Sequence, residues 1–169
     1  MSIKYPVLVL LCLILVQAAF AQNMMTFDNG AVKFSHPSDA SVDDKSQPGK
    51  FNVINIDSPD GDFVSICVQR DKSVTVDDSI QAYKAQYEKD FTNLKAQSMK
   101  FTDIKEPVMS TPAQGFLFTF VLNGKSFENK TLSTVYQGSV IVIVRQSKTD
   151  RKALAGKFFN QILSSLKIK

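Results

Sequence analysis

The sequence predicts an α+β domain in which a mainly antiparallel β-sheet lies between two amphipathic helices, an α/β/α sandwich. Three observations carry that expectation. Apolar segments of strand length are joined by short turn sequences, which forces antiparallel pairing. Two separate stretches repeat their apolar residues at three- and four-residue spacing. Two strand segments are apolar on both faces, as strands covered from two sides must be.

In chain order, the first expectation is a signal peptide over residues 1–21. Lys4 precedes the apolar run Val7 to Val16, and Ala19-Phe20-Ala21 supplies the small-residue site for cleavage before Gln22. The run is much shorter than the roughly 20 residues needed to span a bilayer. Cys12 lies inside it after Leu10 and Leu11, away from the context of a lipoprotein processing site. Removing 21 residues from 169 leaves 148, one domain over 22–169 that is long enough to bury its own core. The expected location is secreted or periplasmic, and lumenal in a photosynthetic source. Cys67 is then the only cysteine, so no internal disulfide is available. With Lys4 gone, 19 basic residues face 16 acidic ones, a net charge near +3 that gives no argument for nucleic acid.

Met25-Thr26-Phe27 and Ala31 to Phe34 flank Asp28-Asn29-Gly30, where Asn-Gly suits a tight hairpin by supplying positive φ. The stretch from His36 to Gly49, rich in Ser, Asp, Pro and Gly, reads as a surface loop. A second hairpin follows, with Phe51 to Ile56 and Phe63 to Gln69 around Asp57-Ser58-Pro59-Asp60-Gly61. From Ser79 the period changes. Ile80, Tyr83, Tyr87, Phe91 and Leu94 form an apolar stripe opposite Lys84, Gln86, Glu88 and Lys95, with Asp77 or Asp78 placed to cap the helix. Strands return at Ile104 to Met109, Gly115 to Leu122, Phe127 to Tyr136 and Ser139 to Val144, the last three joined by Asn123-Gly124 and Gln137-Gly138. Phe116, Phe118 and Phe120 alternate with Leu117 and Val121, and Val140, Val142 and Val144 with Ile141 and Ile143, so both strands present two apolar faces. Leu154, Phe158, Ile162, Leu163 and Leu166 mark a second amphipathic helix, for which Thr149 or Asp150 is a candidate cap.

This order of elements, with several local patterns, resembles the PsbP-like superfamily, which includes photosystem-associated lumenal proteins, a nuclear transport accessory protein and envelope proteins of the DcrB type. The carriers are Val32-Lys33-Phe34-Ser35-His36-Pro37, the long helix after the second hairpin, Gly115-Phe116, Tyr136-Gln137-Gly138 leading into Val140 to Val144, and the closing Phe158 to Ile168. That ending, FFNQILSSLKI, is similar to the family's F-x-x-I-L-x-S-F-K-I and departs from it at Leu166. The resemblance implies a sheet sandwiched by helices that serves binding and assembly. The family has no shared catalytic set, and no functional residue is carried over to this chain.

Candidate chemistry is sparse. A nucleophile with an imidazole base requires His36, the sole histidine, to meet Cys67 or a serine. His36 is expected half-exposed at a strand end. Cys67 falls on the strand face of Phe63, Ser65 and Gln69, opposite Val64, Ile66 and Val68, where a buried inert thiol is expected and an intermolecular disulfide is the alternative. Asp57, Asp60 and Asp62 offer hard oxygen ligands for calcium or manganese, although turn chemistry also accounts for Asp60-Gly61 and the spacing is not that of an EF-hand. One histidine and one remaining cysteine exclude a zinc site, and no glycine-rich phosphate loop occurs. Lys148, Arg151, Lys152, Lys157, Lys167 and Lys169 gather around the last helix as a solvated face or a contact for an acidic partner or a membrane surface. Tyr83 and Tyr87 are expected in the core. Asn129-Lys130-Thr131 is an N-glycosylation acceptor, relevant only in a eukaryotic source.

The sequence thus predicts an exported, non-catalytic binding or assembly module, without cofactor, that meets a protein partner as a monomer or weak oligomer. The alternatives are a small-ligand carrier with a cleft between a helix and the phenylalanine-rich strands, and a metal-assisted hydrolase using Asp57, Asp60 and Asp62.

Overall fold

A computed structural model describes residues 23–169. The expected signal peptide, with Ala19, Ala21 and Gln22 at its cleavage site, lies outside the described residues.

The first hairpin forms at the predicted turn. Strands β1 (Met24–Asp28) and β2 (Val32–Pro37) pair antiparallel. Of Asn29-Gly30 only the glycine takes a positive φ, at 87°. Asn29 contributes through its side chain, whose Oδ1 accepts from the N–H groups of Ala31 and Val32. The stretch expected to be loop contains strand β3 (Ser41–Asp44), paired with β4 (Phe51–Asp57). It is a short edge strand in which Val42 alone packs against the core, too little to stand out as an apolar pattern. Strand β5 (Phe63–Gln69) completes the second hairpin.

Helix α1 (Val76–Asn93) begins three residues before Ser79. Its cap is Thr75 rather than Asp77 or Asp78. Thr75 Oγ1 accepts from the Asp78 N–H at 3.1 Å while an Asp78 carboxylate oxygen accepts from the Thr75 N–H at 3.0 Å, a reciprocal capping box. Strands β6 (Gln97–Val108), β7 (Thr111–Leu122), β8 (Lys125–Tyr136) and β9 (Ser139–Lys148) then run as a meander. A 3₁₀ turn (Thr149–Arg151) leads into helix α2 (Lys152–Ser165), whose N-cap, Arg151, makes no side-chain capping bond; Thr149 and Asp150 fall in the turn instead. The chain closes with strand β10 (Lys167–Ile168), which pairs with β2.

Two sheets result: seven strands in the order β3-β4-β5-β9-β8-β7-β6, and three in the order β1-β2-β10. Strand alternation sorts the core by face. On one side of the large sheet Tyr83, Tyr87 and Phe91 of α1 meet Phe116, Phe118 and Phe120 of β7, with Phe91 and Phe120 ring centroids 4.1 Å apart. On the other, Phe158, Phe159 and Ile162 of α2 pack with Ile66, Ile141 and Ile143 and with Val32 and Phe34 of the small sheet. The expected sandwich is present, and its second outer layer is a helix together with a small sheet. Gly115 explains its place in the Gly115-Phe116 pattern: a Cβ there would collide with the backbone carbonyl of Thr131 on β8.

Candidate functional site

The candidate catalytic pair is separated by the large sheet. His36 is buried, 6% exposed, within β2 rather than half-exposed at a loop, because the strand extends through Pro37 and carries the ring against Phe34; its Nδ1 donates to the Pro37 carbonyl at 2.9 Å. Cys67 lies on the α1 side, half-buried against the Val140–Val144 strand and Tyr83. Burial pushes its thiol pKa up, away from the thiolate. Tyr83 and Tyr87 sit in the core beneath α1. Desolvation raises both phenols, Tyr87 to about 12, and the Tyr87 hydroxyl lies 3.4 Å from that of Thr131.

Asn129 is also inward, 2% exposed on the central strand β8 between Phe118 and Gln146. A glycan on its amide has no path to solvent in this fold.

The three aspartates do not assemble as a metal set. Asp57 ends β4 on the side of Val53 and Asn55, facing the α1 layer, whereas Asp60 and Asp62 turn to the α2 layer. Between them the turn is fixed internally. Ser58 N–H donates to the Asp62 carbonyl, Asp62 N–H donates to Ser58 Oγ, and Gly61 takes φ 81°. Among the described residues no three His, Cys, Asp or Glu side chains converge as a metal-holding group.

What meets the turn is a guanidinium. Arg151, at the start of α2, donates through Nη2 to Asp60 at 2.6 Å and to Asp62 at 3.3 Å. The Asp60 hydrogen bond, with a further contribution from Asp62, raises the Arg151 pKa and keeps it charged. Asp60 is solvent-exposed, but the Asp62 side chain is only 5% exposed. Its Oδ1 is buried without a hydrogen-bond partner, and so is Arg151 Nε. These groups line a cleft of about 310 Å³ bounded by Pro37, Asp39, Pro59, Leu154, Lys157 and Phe158. An ionised acceptor and a guanidinium donor are thus held side by side between apolar walls, each with unused hydrogen-bonding capacity. Such an arrangement can hold a polar ligand by hydrogen bonds to both groups.

Sequence reading found the turn but not its partner. One signal was available: a cation at a helix N-terminus opposes the macrodipole, so Arg151 at that place implies carboxylates brought from elsewhere. The remaining basic residues divide. Lys152 Nζ reaches Glu128 at 2.9 Å and Lys169 Nζ reaches Asp28 at 3.5 Å, so the face is partly committed to the fold. Among the described residues no helix is long and apolar enough to cross a membrane.

No family model and no curated protein matches the chain. Solved structures do. The chain is similar to cyanobacterial PsbP (CyanoP) from Synechocystis sp. PCC 6803, with TM-score 0.59 and 10% identity over 88% of this chain and 94% of that one. It is also similar to a protein from Bacteroides thetaiotaomicron VPI-5482, with TM-score 0.50 and 10% identity over 86% of this chain and 48% of that one. LpqN, involved in cell envelope biogenesis of Mycobacterium tuberculosis, aligns with TM-score 0.49 and 15% identity over 87% and 91% of the two chains. At such identities the likeness is one of fold, and the fold of this chain is PsbP-like.

Proposed function

We propose that this chain, built on the PsbP-like fold, is an exported accessory module that binds a protein partner without catalysis in the cell envelope or extracytoplasmic space. We place recognition at the cleft between the β4–β5 turn and α2. The observation that supports this reading is the pair of orphaned atoms, Asp62 Oδ1 and Arg151 Nε, in an apolar-walled cleft. A buried polar group left unsatisfied costs about 1–3 kcal/mol, and an incoming ligand that satisfies both recovers that cost on binding. Leu154, 53% exposed at the rim, adds apolar area for a partner.

The test is affinity capture from the native envelope or secretion fraction with wild type, Leu154→Glu, and Met99→Glu as an exposed control on β6, away from the cleft. A partner retained by wild type and the control but lost by Leu154→Glu supports the reading. Equal recovery by all three overturns it.

A small-ligand carrier is the second reading. Its support is Ser133, whose buried hydroxyl has no partner and lines a cleft of about 440 Å³ with Val76, Ala113 and Val135 beside the start of α1. Native mass spectrometry that finds a retained small molecule favours it; a ligand-free spectrum counts against it.

A further inference from the structure

We infer that the cleft at the start of α2 receives the free amino terminus of a partner polypeptide, an inference that rests on the binding role proposed for the cleft. The chemistry of the two orphaned atoms selects this ligand. Asp62 Oδ1 is a carboxylate oxygen and takes only a donor; Arg151 Nε–H takes only an acceptor. A lysine or guanidinium side chain brings donors alone, and a carboxylate brings acceptors alone. The first residue of a peptide brings both from groups on one α-carbon, an ammonium for Asp62 and its own carbonyl oxygen for Arg151.

Charge decides between an ammonium and a neutral amide. Three carboxylates, Asp39, Asp60 and Asp62, line the cleft against two cations, Arg151 and Lys157, which leaves one negative charge for a cationic ligand to balance. A charge-assisted bond to a desolvated carboxylate is also about twice as strong as a neutral one. The cleft's volume, about 310 Å³, lies at the small end of ligand sites of roughly 300–1,000 Å³ and suits the end of a chain rather than a folded surface. Pro37, Leu154 and Phe158 furnish an apolar wall for the first side chain. Capture of a terminal amine is an established mode of peptide recognition.

The probes are the tripeptide amide Leu-Gly-Gly-NH₂ and its N-acetylated counterpart, titrated calorimetrically into the purified protein while the Arg151 Nε–H resonance is followed by NMR. The free amine is expected to bind at least tenfold more tightly than the acetylated form and to shift that resonance. Asp62→Asn is expected to weaken binding at least tenfold, with its melting curve confirming a folded variant. Asp60→Asn, at an exposed position, is expected to weaken binding less. Equal binding of the two peptides overturns the inference, since the acetylated form keeps every amide. Absence of binding with an unmoved Arg151 resonance also overturns it and leaves trapped water as the occupant. The wider binding role is judged separately by the Leu154→Glu capture, so a partner lost there while both peptides fail would refute only the ligand class.

Discussion

The buried ion pair between β8 and β9 gives the sharpest stability prediction. Glu128 and Arg145 are 5% and 7% exposed at the side chain, with Oε1 and Nη2 2.8 Å apart. The Arg145 guanidinium also lies over the Phe159 ring of α2 at 5.7 Å. Glu128 has a second cation, Lys152, at 2.9 Å, whereas among the described residues no second carboxylate reaches Arg145. The two single substitutions are therefore unequal. Glu128→Leu strands the guanidinium in the interior, which costs about 3–5 kcal/mol, while Lys152, 57% exposed, swings to solvent. Arg145→Met leaves Glu128 paired with Lys152 and costs about 1–3 kcal/mol, the scale of one charged hydrogen bond. The double variant removes both charges and falls within about 1 kcal/mol of wild type. Urea unfolding with unchanged slope is the assay. By heat, Glu128→Leu lowers the midpoint by about 6–20 °C for a domain of this size. If Arg145→Met proves the more damaging, or if the two losses simply add in the double variant, the reasoning is wrong.

Four further outcomes are expected. Gly115→Ala forces a methyl group into the Thr131 carbonyl and destabilises by about 1–3 kcal/mol or more, read by urea midpoint, whereas Gly156→Ala, whose added carbon meets only Arg145 Nη1 at 3.9 Å, is well tolerated. Spectrophotometric titration should show Tyr83 and Tyr87 resisting ionisation until pH about 12 or above. Because their folded pKa values lie above the ordinary 10.0, the stability they contribute is whole below pH 10 and is lost as pH rises from there. The opposite sign holds in acid. Hydrogen bonds from Gly30 to Asp28, from Ser73 to Asp71 and from Thr75 to Asp78 hold these carboxyls below the ordinary 3.8, so their contribution is present above that value and fades as pH falls through the folded values. Thr75→Ala, which dismantles the capping box, costs about 1 kcal/mol near neutral pH, and an unchanged urea midpoint would contradict the assigned cap.

The hairpins and both helices were legible because their signals are local: Asn-Gly and Asp-Gly turns, and apolar stripes of helical period. The two-sided strand at Val140 to Val144 also announced cover on both faces, which α1 and α2 supply, whereas at Phe116 to Phe120 only the phenylalanine face is covered, by α1, and Leu117 and Val121 behind it stay half-buried outside the α2-side core. What escaped depends on distant partners. Strand β3 exists because β4 offers it an edge, and β10 because β2 does; neither segment has enough apolar residues to signal a strand alone. The turn Asp57 to Asp62 was legible as acidic, but strand alternation divides its carboxylates between two faces, and Arg151 comes from 89 residues beyond Asp62. The burial of His36 is set by β1 and by Phe34, partners that the neighbouring Pro37 does not signal.

The pairing of β10 with β2 has a consequence for how the chain is made. Ile168 lies opposite Val32, and Lys169 N–H donates to the Ala31 carbonyl at 2.9 Å. A polypeptide that emerges amino end first from a ribosome or a narrow pore therefore holds two strands of the small sheet long before the third exists. Loop closure over such a separation comes late and slowly. The β1–β2 hairpin must wait, with Val32 and Phe34 uncovered, until residues 152–168 are out. The same stitch makes the fold sensitive to truncation, since a chain cut before Leu166 lacks both the strand and the apolar residues, Leu166 and Ile168, that seal that end of the core.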